Sequence, residues 1–240
     1  GTTLRANAGS AFKAPTFLEE FNTAFTVGNA ALRPERSRSF ELGATHHVAD
    51  GRGEMSVTWF SQRYRDLIQY SFVNAATPNY FNIAAAAARG VELEGRARVS
   101  DATHLGAMVT FLRTRVDDAG FDQGQNATFV QGNRLLRRPS VTAALVASTN
   151  LTPRLSADAR VLHVGSRDDR DFSGFPAEPV ILESYRRVDG GVSYRLTSAA
   201  PALTLFVHAE NLLDSEYQEI MNFRAPGRSI TLGLRAVARR

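Results

Sequence analysis

Hydrophobic and polar side chains alternate along most of this chain with a period of two, the signature of strands whose two faces meet different surroundings. Leu4, Ala6 and Ala8 alternate with Arg5, Asn7 and Gly9; Phe40, Leu42 and Ala44 with Glu41, Gly43 and Thr45; Met55, Val57 and Trp59 with Ser56, Thr58 and Phe60. The pattern continues through residues 91–99, 105–111, 141–147, 155–161 and 188–196. It ends with Leu203, Leu205, Val207 and Ala209 opposite Thr204, Phe206, His208 and Glu210, and then Ile230, Leu232, Leu234 and Ala236. About ten strands are predicted. Helical periodicity is nearly absent, and the alanine run at 84–88 is short and set in strand-like sequence.

Short and long connections take turns. Residues 49–53, 100–103, 150–154 and 197–201 are rich in Gly, Pro, Asp, Asn and Ser, the residues of tight turns. Between them fall long links at 13–37, 66–80, 117–137, 168–184 and 213–227. A soluble β-sandwich has no reason to place every long loop at one end, whereas an outer-membrane barrel does. Glu92, Glu94, Arg96 and Arg98 share one face of one strand. The apolar faces are rich in Ala, Gly and Val, too small to fill a sheet-on-sheet core about 10 Å thick. Lipid outside and water inside satisfy both faces. The expected fold is all-β, an antiparallel transmembrane β-barrel.

Composition narrows the function classes. No window approaches the roughly 18 consecutive apolar residues of a transmembrane helix, which leaves strands as the way to cross a membrane. The absence of cysteine removes disulfides, thiolate metal sites and cysteine nucleophiles together. The net charge of +4 comes from 28 basic and 24 acidic residues spread along the chain. Basic pairs are confined to short runs such as Arg137-Arg138 and Arg239-Arg240, so nucleic acid is not an expected partner. His46 and His47 are neighbours on a strand and must point to opposite faces, one toward lipid or its boundary and one toward the lumen. His104, His163 and His208 sit on separate strands with no serine or carboxylate at triad spacing. Asp168, Asp169 and Asp171 could be taken for a calcium loop. The interleaved Arg167 and Arg170 favour solvated, mutually paired residues instead. Residues 126–128 match a glycosylation acceptor by a pattern common by chance. No catalytic residue, metal ligand or cofactor is assigned.

Four stretches carry a resemblance. "AFKAPTFLEEF" (11–21) with "GNAALRPERSRSFELGA" (28–44), "YFNIAAAAARGVELEGR" (80–96), "AENLLDSEYQ" (209–218) and "APGRSITLGLR" (225–235) resemble, in order, the barrel of TonB-dependent outer-membrane receptors. "GNRLLRRPSVTAALV" (132–146) and "HVGSRDDRDF" (163–172) look most like the cobalamin and siderophore receptors. Members of that family are 22-stranded barrels with a plugged lumen. The resemblance therefore implies that residues 1–240 are the C-terminal portion of such a barrel, without the plug domain, the N-terminal strands or the export signal. One departure stands: family barrels end on an aromatic residue, whereas this chain ends "LRAVARR".

What the resemblance implies is active transport. The receptor binds a scarce large ligand, cobalamin or a ferric siderophore, and is not an enzyme. Its partners are the TonB-type energy transducer, its own plug domain and outer-membrane lipid. Glu92, Glu94, Arg96, Arg98, His208 and Glu210 are expected to face the lumen and the plug. Phe172, Phe175, Phe223, Arg224, Phe121 and Phe129, on the long loops, are expected to hold the ligand by stacking and hydrogen bonding. Tyr80, Phe81 and Tyr217, next to strands, are expected to anchor the barrel in an interfacial girdle. Two other readings remain at this point: a small self-contained barrel with a hydrolase site at its rim around His163, Asp168, Asp169 and Asp171, and a soluble β-sandwich that binds carbohydrate.

Overall fold

The computed structural model describes residues 1–24, 26–48, 51–70, 78–119, 130–174 and 176–238, apart from the side chains of residues 83 and 84. Ten strands form one antiparallel sheet: β1 (Thr2–Lys13), β2 (Glu35–Val48), β3 (Gly53–Tyr70), β4 (Tyr80–Arg98), β5 (Thr103–Asp118), β6 (Val141–Asn150), β7 (Leu155–Val164), β10 (Tyr185–Arg195), β11 (Ala202–Glu210) and β14 (Ser229–Val237). Each strand pairs with its neighbour in that order, and β1 and β14 form the edges. Two small hairpins stand apart, β8 (Arg167–Asp171) with β9 (Glu178–Leu182) and β12 (Gln218–Ile220) with β13 (Phe223–Arg224). Both are inserted in long connections, at the end of the sheet opposite the tight turns. No helix is long and apolar enough to cross a membrane.

Two features go beyond the sequence pattern, the length of β3 and β4 and a short helix. β3 and β4 run for 18 and 19 residues, well beyond the roughly 9–11 needed to span a bilayer, so they project past it on the long-loop side. The alanine run is part of β4. A short helix, α1 (Phe17–Phe21), opens the first long loop. Its signal was present in the sequence as a capping box: Thr16 accepts from the Glu19 N–H, and the Glu19 carboxylate accepts from the Thr16 N–H.

The register sorts side chains onto two faces. One presents Leu4, Phe40, Leu42, Met55, Val57, Trp59, Leu93, Leu105, Leu145, Val192, Leu205, Leu232 and Leu234, all exposed. An apolar surface this continuous is untenable for a monomer in water and natural against lipid. The other face is concave and polar. Buried apolar residues are few: Phe81, Val116 and Ala119 form a small cluster at the outer ends of β4 and β5, against Leu67 and Leu135. Phe81 is only 2% exposed, so it fills this cluster and does not join a girdle.

Candidate functional site

The concave face forms a hollow of about 770 Å³. Cross-strand pairing builds its floor. Arg98 lies opposite His104, His104 opposite Ser148, Ser148 opposite Asp158, Asp158 opposite Gly191, Gly191 opposite His208 and His208 opposite Thr231. A Cβ at Gly191 would stand 2.8 Å from Asp158 Oδ1, so glycine lets this carboxylate keep its place on the floor. A second row joins His47, Glu54, Arg96, Gly106, Val146, Arg160 and Asp189.

Charge on this wall is of mixed sign. Glu54, Asp158, Asp189 and Glu210 face Arg96, Arg98, Arg160 and Arg187. His208 Nε2 is 3.8 Å from Glu210 Oε1, and His47 Nδ1 is 3.6 Å from Glu54 Oε2. Arg187 pairs with Asp189 at 2.9 Å, and Asp189 also accepts from the Asn211 N–H at 3.0 Å. Among the described residues Glu92, Glu94, Arg96 and Arg98 form no ion pair, although they share one strand face. Glu92 lies opposite Thr58 and Thr110, and Glu94 opposite Ser56 and Met108. Arg96 and Arg98 line the hollow, and Glu92 and Glu94 continue the same face beyond it toward the rim. His46 is on the convex face, where its Nδ1 is 2.7 Å from the Thr2 hydroxyl, and His47 lines the hollow, as expected for strand neighbours.

At the rim, three loops meet on Asp169, a carboxylate that the sequence pattern placed in a solvated, mutually paired run. Asp169 is 1% exposed and accepts from Arg137 Nε and from the Met221 N–H, each at 2.8 Å. Arg137 donates its own N–H to Asp168 O at 2.8 Å. Arg167, 4% exposed, donates to Gln218 O and sits 5.6 Å above the Tyr185 ring. Tyr185 stacks on Tyr217 at 3.9 Å and donates its hydroxyl to Glu219 at 2.9 Å. Asp169 and Arg167 are thus neither solvated nor paired only within the run, whereas Asp171 stays at its solvated edge. Asp169 is met by Arg137 and Met221 and Arg167 by Gln218, while buried Arg170 donates to Ala177 O at 2.8 Å, so each buried charge has a partner. The single local signal was the Arg/Asp alternation itself.

The hub gathers part of the expected ligand set. Asp171 accepts from Asn222 Nδ2 at 2.8 Å, which ties the segment of Phe172 to the β12–β13 hairpin that carries Phe223 and Arg224. Phe172 and Phe223 are 48% and 70% exposed, so both rings are free to stack. Arg224 lines a second hollow of about 460 Å³ together with Glu183, Tyr185, Asp214, Glu216 and Tyr217. Phe121, Phe129 and Phe175, and the glycosylation pattern at 126–128, lie outside the described residues. The first long loop is held separately: Asn82 accepts from the Arg33 N–H and donates to Arg33 O, both at 3.0 Å.

A wet concave wall behind an apolar convex one, with loops massed at one end, is the construction of an outer-membrane barrel. The model of the family "TonB dependent receptor-like, beta-barrel" matches residues 1–212. The chain belongs to that family. It is 28% identical over 232 residues to the vitamin B12 transporter BtuB of Vibrio cholerae, covering 96% of this chain and 34% of that protein. The fold matches the ferric-catecholate import receptor Fiu of Escherichia coli K12 with a TM-score of 0.74 at 16% identity, over 97% of this chain and 32% of that one. It matches the copper transporter OprC with a TM-score of 0.75 at 16% identity, over 97% and 36%. The chain thus spans about a third of the length of these relatives. Its place is the outer membrane, and the sandwich is excluded. The rim-hydrolase reading also falls, because the matched relatives are transporters and receptors and not enzymes.

Proposed function

We propose that this chain is the C-terminal wall of a TonB-dependent active-transport receptor that takes up a scarce large ligand, cobalamin or a ferric siderophore. The observation that carries this reading is the concave face, where Glu92, Glu94, Arg96 and Arg98 hold charge with no partner in the described residues. A plug domain inside the barrel would supply the missing hydrogen bonds. The mixed signs would let it shift against the wall without leaving a charge stranded. The transducer would act on the plug, and the wet wall would line the path that opens. His208 and Glu210 extend this wall toward the rim, where Phe172, Phe223 and Arg224 stand ready to stack on and bond to the ligand. The unpaired edges β1 and β14 would pair with the remaining strands of the receptor. Similarity to a vitamin B12 transporter favours cobalamin within this class.

The test is the double substitution Glu92→Leu/Glu94→Leu in the full-length receptor. Losing charged hydrogen bonds worth about 1.5–3 kcal/mol each should speed protease cleavage of the plug at least about tenfold and reduce uptake of labelled cobalamin. Unchanged plug protection and uptake would sink the reading.

A further inference from the structure

The convex face carries a second charged region, which the transport reading does not use. Strand register places Arg36 opposite Arg65, Arg38 opposite Arg63 and Arg89 opposite Arg113, with Arg115 one step above Arg113 on β5. All seven share the face of Phe40, Leu42, Trp59, Val91 and Phe111, and all seven are exposed. They lie on four adjacent strands immediately above the apolar band, on the long-loop side. At about 4.8 Å between strands and about 6.8 Å between alternate residues, the belt is about 14 Å in each direction. Ser61, Ala85 and Ala87 lie among the arginines in the register and leave the floor low.

Three directly opposed arginine pairs repel one another. Arg115 has a counter-ion in Asp117, at 2.6 Å. Among the described residues the other six have none. Asp117 and Asp118 lie at the β5 corner of the cluster, and the rest is of one sign. Six arginines without a counter-ion at the level where a bilayer's headgroups begin match anions presented by the membrane itself. Guanidinium groups bind phosphate in bidentate fashion. The apolar band below, with Phe40 packed edge-on to Trp59 at 6.1 Å, offers a track for acyl chains.

We propose that Arg36, Arg38, Arg63, Arg65, Arg89, Arg113 and Arg115 form a binding surface for a multiply phosphorylated lipid of the outer leaflet. The phosphates sit among the arginines and the acyl chains run down the face of Phe40, Leu42 and Val91. This depends on the outer-membrane placement of the barrel and not on what the receptor transports.

The experiment uses the full-length receptor in phosphatidylcholine nanodiscs, titrated with fluorescent bis-phosphorylated lipid A. Arg38→Gln/Arg63→Gln/Arg89→Gln should weaken binding at least about tenfold, and the corresponding lysine variant should retain most of it. Dephosphorylated lipid A should bind as poorly to the wild type as the phosphorylated form binds to the glutamine variant. Cobalamin uptake should be unchanged in both variants, which separates this surface from the transport path. Heat-modifiable migration checks folding; if the glutamine variant does not fold, the phosphorylated-versus-dephosphorylated comparison on the wild type decides. Wild-type affinity in a folded glutamine variant, or equal binding of the dephosphorylated lipid, would overturn the proposal. So would full displacement by millimolar inorganic phosphate, which would assign the belt to a free anion.

Discussion

The rim hub and the outer arginine belt are built from the same residue types and reach opposite solutions. At the hub, Asp169 is almost fully buried and meets both Arg137 and a backbone N–H, and Arg167 meets a carbonyl and an aromatic ring. In the belt, six exposed arginines face one another and form no ion pair among the described residues. Compensated charge inside a loop cluster holds the protein's own parts together. Uncompensated charge of one sign on a surface adds nothing to the fold and makes sense only with an external partner. The difference separates residues that shape the rim from residues that meet the surroundings.

The contrast predicts opposite responses to deletion. Asp169→Ala removes one partner of a buried pair and strands Arg137 and the Met221 N–H. Because Arg137 is partly exposed, the rim should lose about 1–3 kcal/mol of local stability, read as faster hydrogen exchange across residues 167–171 and 218–224 in the full-length receptor. Exchange at wild-type rates would mean that the three loops are not held through Asp169. Ligand affinity should fall with it, because Phe172, Phe223 and Arg224 would no longer be positioned.

Arg113→Ala should do the reverse on a smaller scale. In detergent, without phosphorylated lipid, relief of the repulsion with Arg89 should leave stability unchanged or raise it by about 0.2–1 kcal/mol. Denaturant unfolding of the purified receptor measures this. A clear loss of stability would show that the belt supports the fold by itself, and the contrast with the hub would collapse.

The two regions also differ in how far the sequence revealed them. The ten strands were legible because lipid and water impose a strict period of two, and all ten appear in one sheet in chain order. The polar face of Glu92 to Arg98 was legible for the same reason. The belt was only half visible: Arg36, Arg38 and Phe40 alternate within one strand, and so do Arg63 and Arg65. What joins them is cross-strand register over long separations, together with strands that run past the bilayer into segments whose composition suggested loops. The hub was less legible still. Asp169 depends on Arg137, 32 residues away, and on Met221, 52 residues away, and no local pattern encodes a meeting of three loops. Phe81 misled for a related reason: an aromatic residue at a strand end suits an interfacial girdle, and only the packing of Val116, Leu67 and Leu135 shows it buried.

The smallest effect lies at the solvated tip of the hub. Hydrogen bonds from the side chain and backbone of Ser173 and from Asn222 hold the Asp171 carboxyl below its usual range. A carboxylate whose folded value is depressed stabilises the fold above its unfolded value, near pH 4, and that contribution is lost as pH falls through the folded value. The link between Asp171 and Asn222 should therefore be intact at pH 7 and weaken below about pH 4. Limited proteolysis of the full-length receptor around residues 171–173 should show more cleavage at pH 3.5 than at pH 7 with an acid-tolerant protease. Asp171→Asn, which has no carboxylate to titrate, should remove the pH difference while leaving the buried pair at Asp169 in place. An undiminished pH response in that variant would move the titrating group elsewhere, and Asp171 would count as a bystander at the edge of a rim held by Asp169 alone.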